Sequence, residues 1–253
     1  METPAVLRVA TLNIRNTSDR WHARRQLLVR QFVELEPDLF GVQEVRRIPR
    51  QAAWIAREVN AQVEHPYVYR ANWKTGIMGW REGIAIFSRL PILRHDELDL
   101  RGGRRVAQRL VARTRDGAEL VFCNTHLHHA LKPTDIRLRQ ASRILAWLAD
   151  DQAAPVVLVG DFNAPPTDPT IAAITERLRS VYFAVHAREP ERTVPTPLSR
   201  RDDSEGQVID FIFANDRIVV HRAWRTFEEP DADDATLTAS DHYGLAADIS
   251  VRP

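Results

Sequence analysis

Seven short strings hold the residues of this chain that could do chemistry. Gly160-Asp161-Phe162-Asn163 closes the aliphatic run Val156–Val159 with a carboxylate and an amide two positions apart. Alternation along an extended chain puts Asp161 and Asn163 on one side and sends Phe162 the other way, into a core. A carboxylate beside a neutral amide can hold a nucleophilic water and donate to an anionic oxygen. Ile209-Asp210-Phe211-Ile212-Phe213 sets one carboxylate in an apolar row, where it is costly unless paired. The imidazole of Ser240-Asp241-His242 is a natural partner for it. Asn124-Thr125-His126-Leu127, Gln43-Glu44, Asn13 and Glu82 complete the set. Singly, each also reads as a turn or a structural hydrogen bonder. Together they are rich in oxygen donors, which suit Mg²⁺ or Mn²⁺, and lack the Cys/His spacing of a structural zinc site.

Nearly all of these residues fall at the ends of strand-like runs. Residues 6–14, 38–43, 84–88, 156–159, 208–213 and 245–251 are largely apolar or β-branched and read as extended, as does 62–70. Residues 105–114 and 118–125 flank Asp116-Gly117, a pair that favours a tight primed hairpin turn. Helices are expected over 21–36, with Leu28, Phe32 and Leu35 on one stripe and Pro37 as the stop, over 51–60, and over 134–150. About ten strands and four helices in alternation imply two packed sheets covered by helices.

The 253 residues suffice for a large core and lie near the upper size of one domain; a single catalytic domain over 1–253 is expected. With 44% apolar and 27% charged positions the composition excludes a disordered or fibrous chain. Lys+Arg 35 against Asp+Glu 34 leaves a net charge of +1, so any grip on nucleic acid must come from a local patch. The one cysteine, Cys123, permits no internal disulfide and fits a reducing compartment. The first thirty residues hold no secretory apolar segment and no run reaches the length of a membrane helix, so a cytoplasmic protein without membrane contact is expected.

In this order, TLN at 11–13, QE at 43–44, EGIAIFSR at 82–89, NTHL at 124–127, GDFN at 160–163, IDFIF at 209–213 and SDH at 240–242 resemble the endonuclease/exonuclease/phosphatase superfamily, whose fold is deoxyribonuclease I-like. The resemblance implies an α/β fold, a four-layer α/β/β/α sandwich of two mixed sheets flanked by helices. It implies that Glu44 is the principal metal ligand, with Asn13 and Asp241 near a second or shared metal position. Asp161 would orient or deprotonate the attacking water and Asn163 would steady phosphoryl oxygens. Asp210 with His242, and facing them Glu82 with His126, would form two carboxylate–imidazole pairs. Abasic-site members generally lack the second pair, which draws this chain away from that branch. The implied activity is Mg²⁺- or Mn²⁺-dependent hydrolysis of a phosphodiester, in nucleic acid or nucleotides; the nearest rival is a phospholipid or sugar-phosphate phosphohydrolase, and a non-catalytic binding protein is the remote one. A monomer is the favoured state.

Three segments are expected to choose the substrate, one of them the polar 185–207, which holds Arg188, Arg192, Arg200 and Arg201 but also acids and so is not a clean basic patch. Residues 71–81 interleave Trp73 and Trp80 with Lys74 and Arg81, rings and cations that could stack on a base and steer a phosphate. Arg105, Arg109 and Arg113 recur at period four, and a row of guanidiniums binds phosphates bidentately. Arg109 is the single residue chosen from that row as a substrate contact, against the plainer reading of a solvated edge.

Overall fold

The computed structural model describes residues 5–76, 79–129, 135–151, 154–199 and 206–252, the side chains of Trp80 and Asp151 excepted. The apolar runs form two six-stranded sheets. The first has β1 (Leu7–Asn13), β2 (Leu39–Arg46), β3 (Val68–Trp73), β4 (Glu82–Ser88), β11 (Ile218–Thr226) and β12 (Gly244–Val251), in the order β11-β12-β1-β2-β4-β3. The second has β5 (Ile92–Asp99), β6 (Val106–Arg113), β7 (Glu119–His126), β8 (Val156–Asp161), β9 (Arg179–Ser180) and β10 (Asp210–Ala214), in the order β5-β6-β7-β8-β10-β9. Each sheet is mixed, with one parallel pair, β1 with β2 and β7 with β8, among antiparallel neighbours.

Alternation gives each sheet two apolar faces. Val9, Leu39 and Ile86 of the first meet Leu110, Phe122, Val157 and Ile212 of the second in a layer between them. The outer face of the first sheet packs on α1 (Trp21–Leu35) and α2 (Gln51–Asn60) through Leu28, Phe32, Leu35 and Ile55. The outer face of the second is covered by α3 (Asp135–Leu148) and α4 (Pro169–Thr175) through Ile144, Leu148 and Ile171. These are the four layers that the motif order implied; a short α5 (Val181–His186) packs beside β10 and β11.

The inter-sheet layer is largely apolar, crossed by the buried Asn72 amide, which donates to Ala107 O at 3.1 Å, and by Asn124. The Asn124 amide donates to the carbonyls of Val42 and Ala85 in the facing sheet, at 3.0 and 2.9 Å, and its oxygen accepts from Gln43 at 2.7 Å. Satisfied at every polar atom, it fixes one sheet over the other. At Gly160 a Cβ would lie 2.1 Å from the Thr125 carbonyl oxygen, and φ is +151°; only glycine lets β8 come this close to β7 just before Asp161.

Two expectations need correction. The 114–118 connection is not a primed turn: Gly117 N–H donates to Thr114 O at 3.1 Å, Thr114 N–H to Ala118 O at 2.8 Å, and only Gly117 has positive φ. One left-handed glycine makes it the longer, bulged hairpin loop. The helix expected from 134 is described from Asp135 and ends at Leu148, followed by a 3-10 turn over Ala149–Asp151.

Candidate active site

The C-terminal ends of β1, β2, β7 and β8 and the N-terminal ends of β4, β10 and β12 converge on one rim of the sandwich, because each antiparallel neighbour presents its start beside its partner's end. Asn13 of β1 spans the two sheets. Its Nδ2 donates to Asp161 Oδ2 at 2.9 Å and to Glu44 Oε1 at 3.2 Å. Asp161, the last residue of β8, faces Asp210, the first of β10, in register. His242 Nδ1 lies 2.8 Å from Asp210 Oδ2, the carboxylate–imidazole pair expected from the sequence. His126, at the end of β7, places Nε2 3.3 Å from Asp161 Oδ2. Asn163 turns away in a left-handed conformation (φ 49°); its N–H donates to Asp161 Oδ1 at 2.9 Å and its amide to Leu127 O at 3.2 Å. Phe162 points the other way and is fully buried against Phe211 and Phe213.

Glu44 reaches this site through an irregularity. The β2–β4 register shifts between Gln43 and Val45, and Glu44 takes φ 58°. A bulge of this kind re-aims one side chain out of the alternation, at about 1–2 kcal/mol of backbone strain for a non-glycine residue. Gln43 keeps its inter-sheet bonds while Glu44 turns to the rim, where Asn16 Nδ2 donates to its Oε2 at 2.9 Å.

Charges at the rim are shaped by burial. Burial, and then the neighbouring Asp210 carboxylate, push the Asp161 carboxyl up to about 7. Burial alone would lower His242, but the charge and hydrogen bond of Asp210 overrule it and hold the imidazole well above its usual value, so it is an imidazolium at neutral pH. His126 goes the other way: burial, then Arg105 and Lys74, lower it well below its usual value, so it is neutral.

The structure separates the second expected pair. Glu82 is bonded to Lys74 and accepts from Asn16 Nδ2 at 3.3 Å; His126 faces Asp161 instead. A neutral imidazole offers Glu82 no charge, whereas Lys74, across the β3–β4 hairpin, does. Asp241 is buried with Oδ2 3.3 Å from Arg15 Nε and Oδ1 3.3 Å from Ser240 Oγ. The Arg109 expectation fails. Its guanidinium lies 4.3 Å over the Trp147 ring and donates to Trp147 O and Asp96, on the outer face under α3, away from the rim. Trp73 packs against the α1–α2 core with Arg47 5.6 Å over its ring, so it belongs to the wall behind the rim. The side chain of Trp80 lies outside the described residues, as do Arg200 and Arg201.

Arg105 takes the place that Arg109 vacates. It precedes β6 rather than lying in it, so strand alternation does not bind it to the outer face. It is buried, its field acts on Asp161, Glu82 and Glu44, its Nη2 lies 3.0 Å from His129 Nδ1, and its Nη1 has no hydrogen-bond partner. Asn16 is the other residue that reading by motif passed over; a second asparagine just past β1 was its only signal.

The donors fit a hard divalent cation. Among the described residues, Asp161, Asp210 and His242 place ligand-type atoms within 4.8 Å of one another, and with His242 protonated the two carboxylates are the donors of that group. Asp210 Oδ1 is buried without a hydrogen-bond partner, and Asp161 beside it is pushed up by burial and then by the Asp210 charge. This tightest group differs from the Glu44, Asn13 and Asp241 set expected from the motifs, although Glu44 and Asn13 adjoin it through Asn13 Nδ2.

The sequence matches the Endonuclease/Exonuclease/phosphatase family over residues 10–242. The chain belongs to that family. Its members are phosphoesterases, and hydrolysis of phosphate esters is the activity this membership carries. Protein angel of Drosophila melanogaster is 30% identical over 161 residues, 58% of this chain and 44% of that protein, so the match spans less than half of the relative. Among solved structures, an endonuclease/exonuclease/phosphatase family protein of Bacteroides thetaiotaomicron superposes with a TM-score of 0.80 at 21% identity, covering 100% of both chains. A mannosyl-6-phosphatase of the same organism gives 0.76 at 21% identity, covering 96% of this chain and 99% of that one. These likenesses establish the fold. No helix among the described residues is long and apolar enough to cross a membrane.

Proposed function

We propose that this chain is a divalent-cation-dependent phosphodiesterase, one catalytic domain over residues 1–253, that hydrolyses a phosphodiester of nucleic acid or a nucleotide by in-line attack of water. The observation that carries the reading is the continuous network Glu44–Asn13–Asp161–His126, joined at Asp161 to the Asp210–His242 pair. Glu44 and Asn13, with Asp241 or Asp210 beside them, would hold Mg²⁺ or Mn²⁺, and the cation would supply Lewis-acid stabilisation of phosphoryl charge. Asp161 orients the attacking water and takes its proton; a carboxyl poised near 7 is matched to that task. His242, held charged by Asp210, donates from Nε2 to a phosphoryl oxygen as charge builds there. Neutral His126 keeps Asp161 in place, and so does the N–H of Asn163, whose amide is turned to Leu127 O. Arg105, with a buried unpartnered Nη1, meets a phosphate oxygen. The lone cysteine, buried in β7, fits a reducing cytoplasm.

Purified protein should cleave single- or double-stranded oligonucleotides or bis(p-nitrophenyl) phosphate with Mg²⁺ or Mn²⁺, stop in EDTA, and recover on re-addition. Release of inorganic phosphate from monoesters with diesters untouched overturns the diester reading; metal-independent turnover overturns the cation's role.

Asp210→Asn and His242→Ala should each lower kcat by about 10²–10³ while KM moves less than about threefold. Because the two act as one unit, the double variant should be little worse than either single one. Rates within about threefold of wild type for both single variants refute the paired-imidazole role.

A further inference from the structure

Tyr243, the residue after His242, helps to wall a hollow of about 350 Å³ together with Glu191, Arg192, Pro195, Pro197 and Arg225. It shares its wall with the catalytic pair. Tyr243 follows His242 directly, and its N–H donates to Thr193 O at 2.7 Å. Thr196 N–H donates to Asp241 O at 3.0 Å, and Thr193 Oγ1 accepts from Asp210 N–H at 3.2 Å. Four short bonds therefore tie the 193–196 loop to the strand ends that carry Asp210, Asp241 and His242, counting that from Ile209 N–H to Thr193 Oγ1 at 3.0 Å. The wall of the hollow is thus continuous in sequence and hydrogen bonding with the residues that carry the imidazole proposed to meet the scissile phosphate.

The hollow is built for an anion. The Arg225 guanidinium lies 4.6 Å over the Tyr243 ring, and its Nη1 donates to Arg192 O at 3.4 Å, so its fork is oriented before anything binds. Each guanidinium has a carboxylate against it: Glu191 on Arg192 at 2.8 Å, and Glu228 on both Nε and Nη2 of Arg225, with Nε at 2.7 Å, so a phosphate must displace Glu228 to use that edge. Both carboxylates are on mobile-length side chains open to water, 72% and 42% exposed, and such pairs contribute at most about 1 kcal/mol. A phosphate brings more charge and bidentate geometry and displaces them at small cost.

We propose that this hollow is a second phosphate subsite, which takes a phosphate group of the substrate next to the one that is cleaved. The proposal rests on the diesterase reading for its role in turnover, but not for its binding chemistry. It follows that the enzyme prefers substrates with at least two phosphates, either a polynucleotide backbone or a nucleotide pyrophosphate.

The test compares kcat/KM for oligothymidylate, for a dinucleoside polyphosphate and for bis(p-nitrophenyl) phosphate, which has no flanking phosphate. Arg225→Gln and Arg192→Gln should each reduce the preference for the multi-phosphate substrate over bis(p-nitrophenyl) phosphate by about tenfold, through KM. Glu191→Gln, which removes the competing carboxylate, should raise it. The substrate whose preference falls identifies backbone or pyrophosphate. Equal losses on all substrates, or no change in any ratio, overturn the subsite. A second readout stands apart from turnover: calorimetry of inorganic pyrophosphate in EDTA should show binding to wild type and Asp161→Asn, weakened at least about fivefold in Arg225→Gln. If no diester is cleaved and pyrophosphate still binds this way, the diesterase reading fails and the subsite stands; if diesters are cleaved and pyrophosphate binding is indifferent to Arg225 and Arg192, the subsite fails alone.

Discussion

Asp161→Asn is expected to lower kcat by about 10²–10³ with little change in KM, and at the same time to stabilise the metal-free protein at neutral pH. The two effects have one cause. Asp161 is buried beside Asp210 and receives hydrogen bonds from Asn13 and from the Asn163 N–H. The two bonds fall on different oxygens, Oδ2 and Oδ1, and an amide, like the protonated carboxyl, keeps one acceptor oxygen; the variant therefore resembles the protonated wild type, and the proton acceptor for water is gone. The stability change follows from the carboxyl pushed up to about 7, against 3.8 in an ordinary setting. Below about 4 the group is protonated in folded and unfolded chains alike, and the variant has no advantage. Between 4 and 7 the unfolded chain ionises while the folded one resists, so wild type loses stability as pH rises. Above 7 the full penalty is present. Melting in EDTA should therefore show the Asn variant higher at pH 8, by roughly 2–4 °C for each kcal/mol relieved, and level with wild type at pH 4. A lower melting temperature at pH 8 contradicts this account of the site. Addition of Mg²⁺, which offsets the same charge, should narrow the gap.

Arg24→Met is the substitution expected to cost most stability. Arg24, on the first turn of α1, has no exposed surface. Its guanidinium donates to the carbonyls of Ile14, Arg15, Asn16, Ser18, Asp19 and Ala239, at 2.8–3.3 Å. Burial lowers its pKa to about 10, which still leaves it charged. It ties the loop after β1, which bears Asn16, to the loop that bears Ser240, Asp241 and His242. Methionine fills much of the volume and leaves six carbonyls short of a donor. A loss of about 3–5 kcal/mol, or roughly 6–20 °C in Tm, is expected. Arg24→Lys retains the charge but offers fewer donors in the wrong fork, and should fall between. The surviving folded fraction should show reduced kcat, since Asn16 and His242 lose a common anchor. If Arg24→Met melts within about 2 °C of wild type, the guanidinium does not hold these loops.

Some residues could be placed from the sequence because a regular strand leaves little choice. Phe162 is buried and Asp161 faces the rim, as the alternation of β8 demands. The Asp210–His242 bond could be anticipated too, because a carboxylate in an apolar row needs a cation. The strands β5 and β11 escaped notice. They lie at sheet edges, and their mixed polar content, as in Ile92–Asp99, carries no clean apolar alternation.

The order and types of the chemical residues and the central strands were determined by the sequence itself, since local periodicity and composition act through short-range geometry; the four-layer arrangement was implied by the family resemblance that those residues carry. Which group meets which was decided only in three dimensions. The bulge at Glu44, the left-handed turn at Asn163, the choice of Lys74 over His126 by Glu82, and the exchange of Arg109 for Arg105 all depend on where the second sheet comes to rest. Contact between side chains remote in the chain is a property of that packing, and a linear pattern holds no record of it.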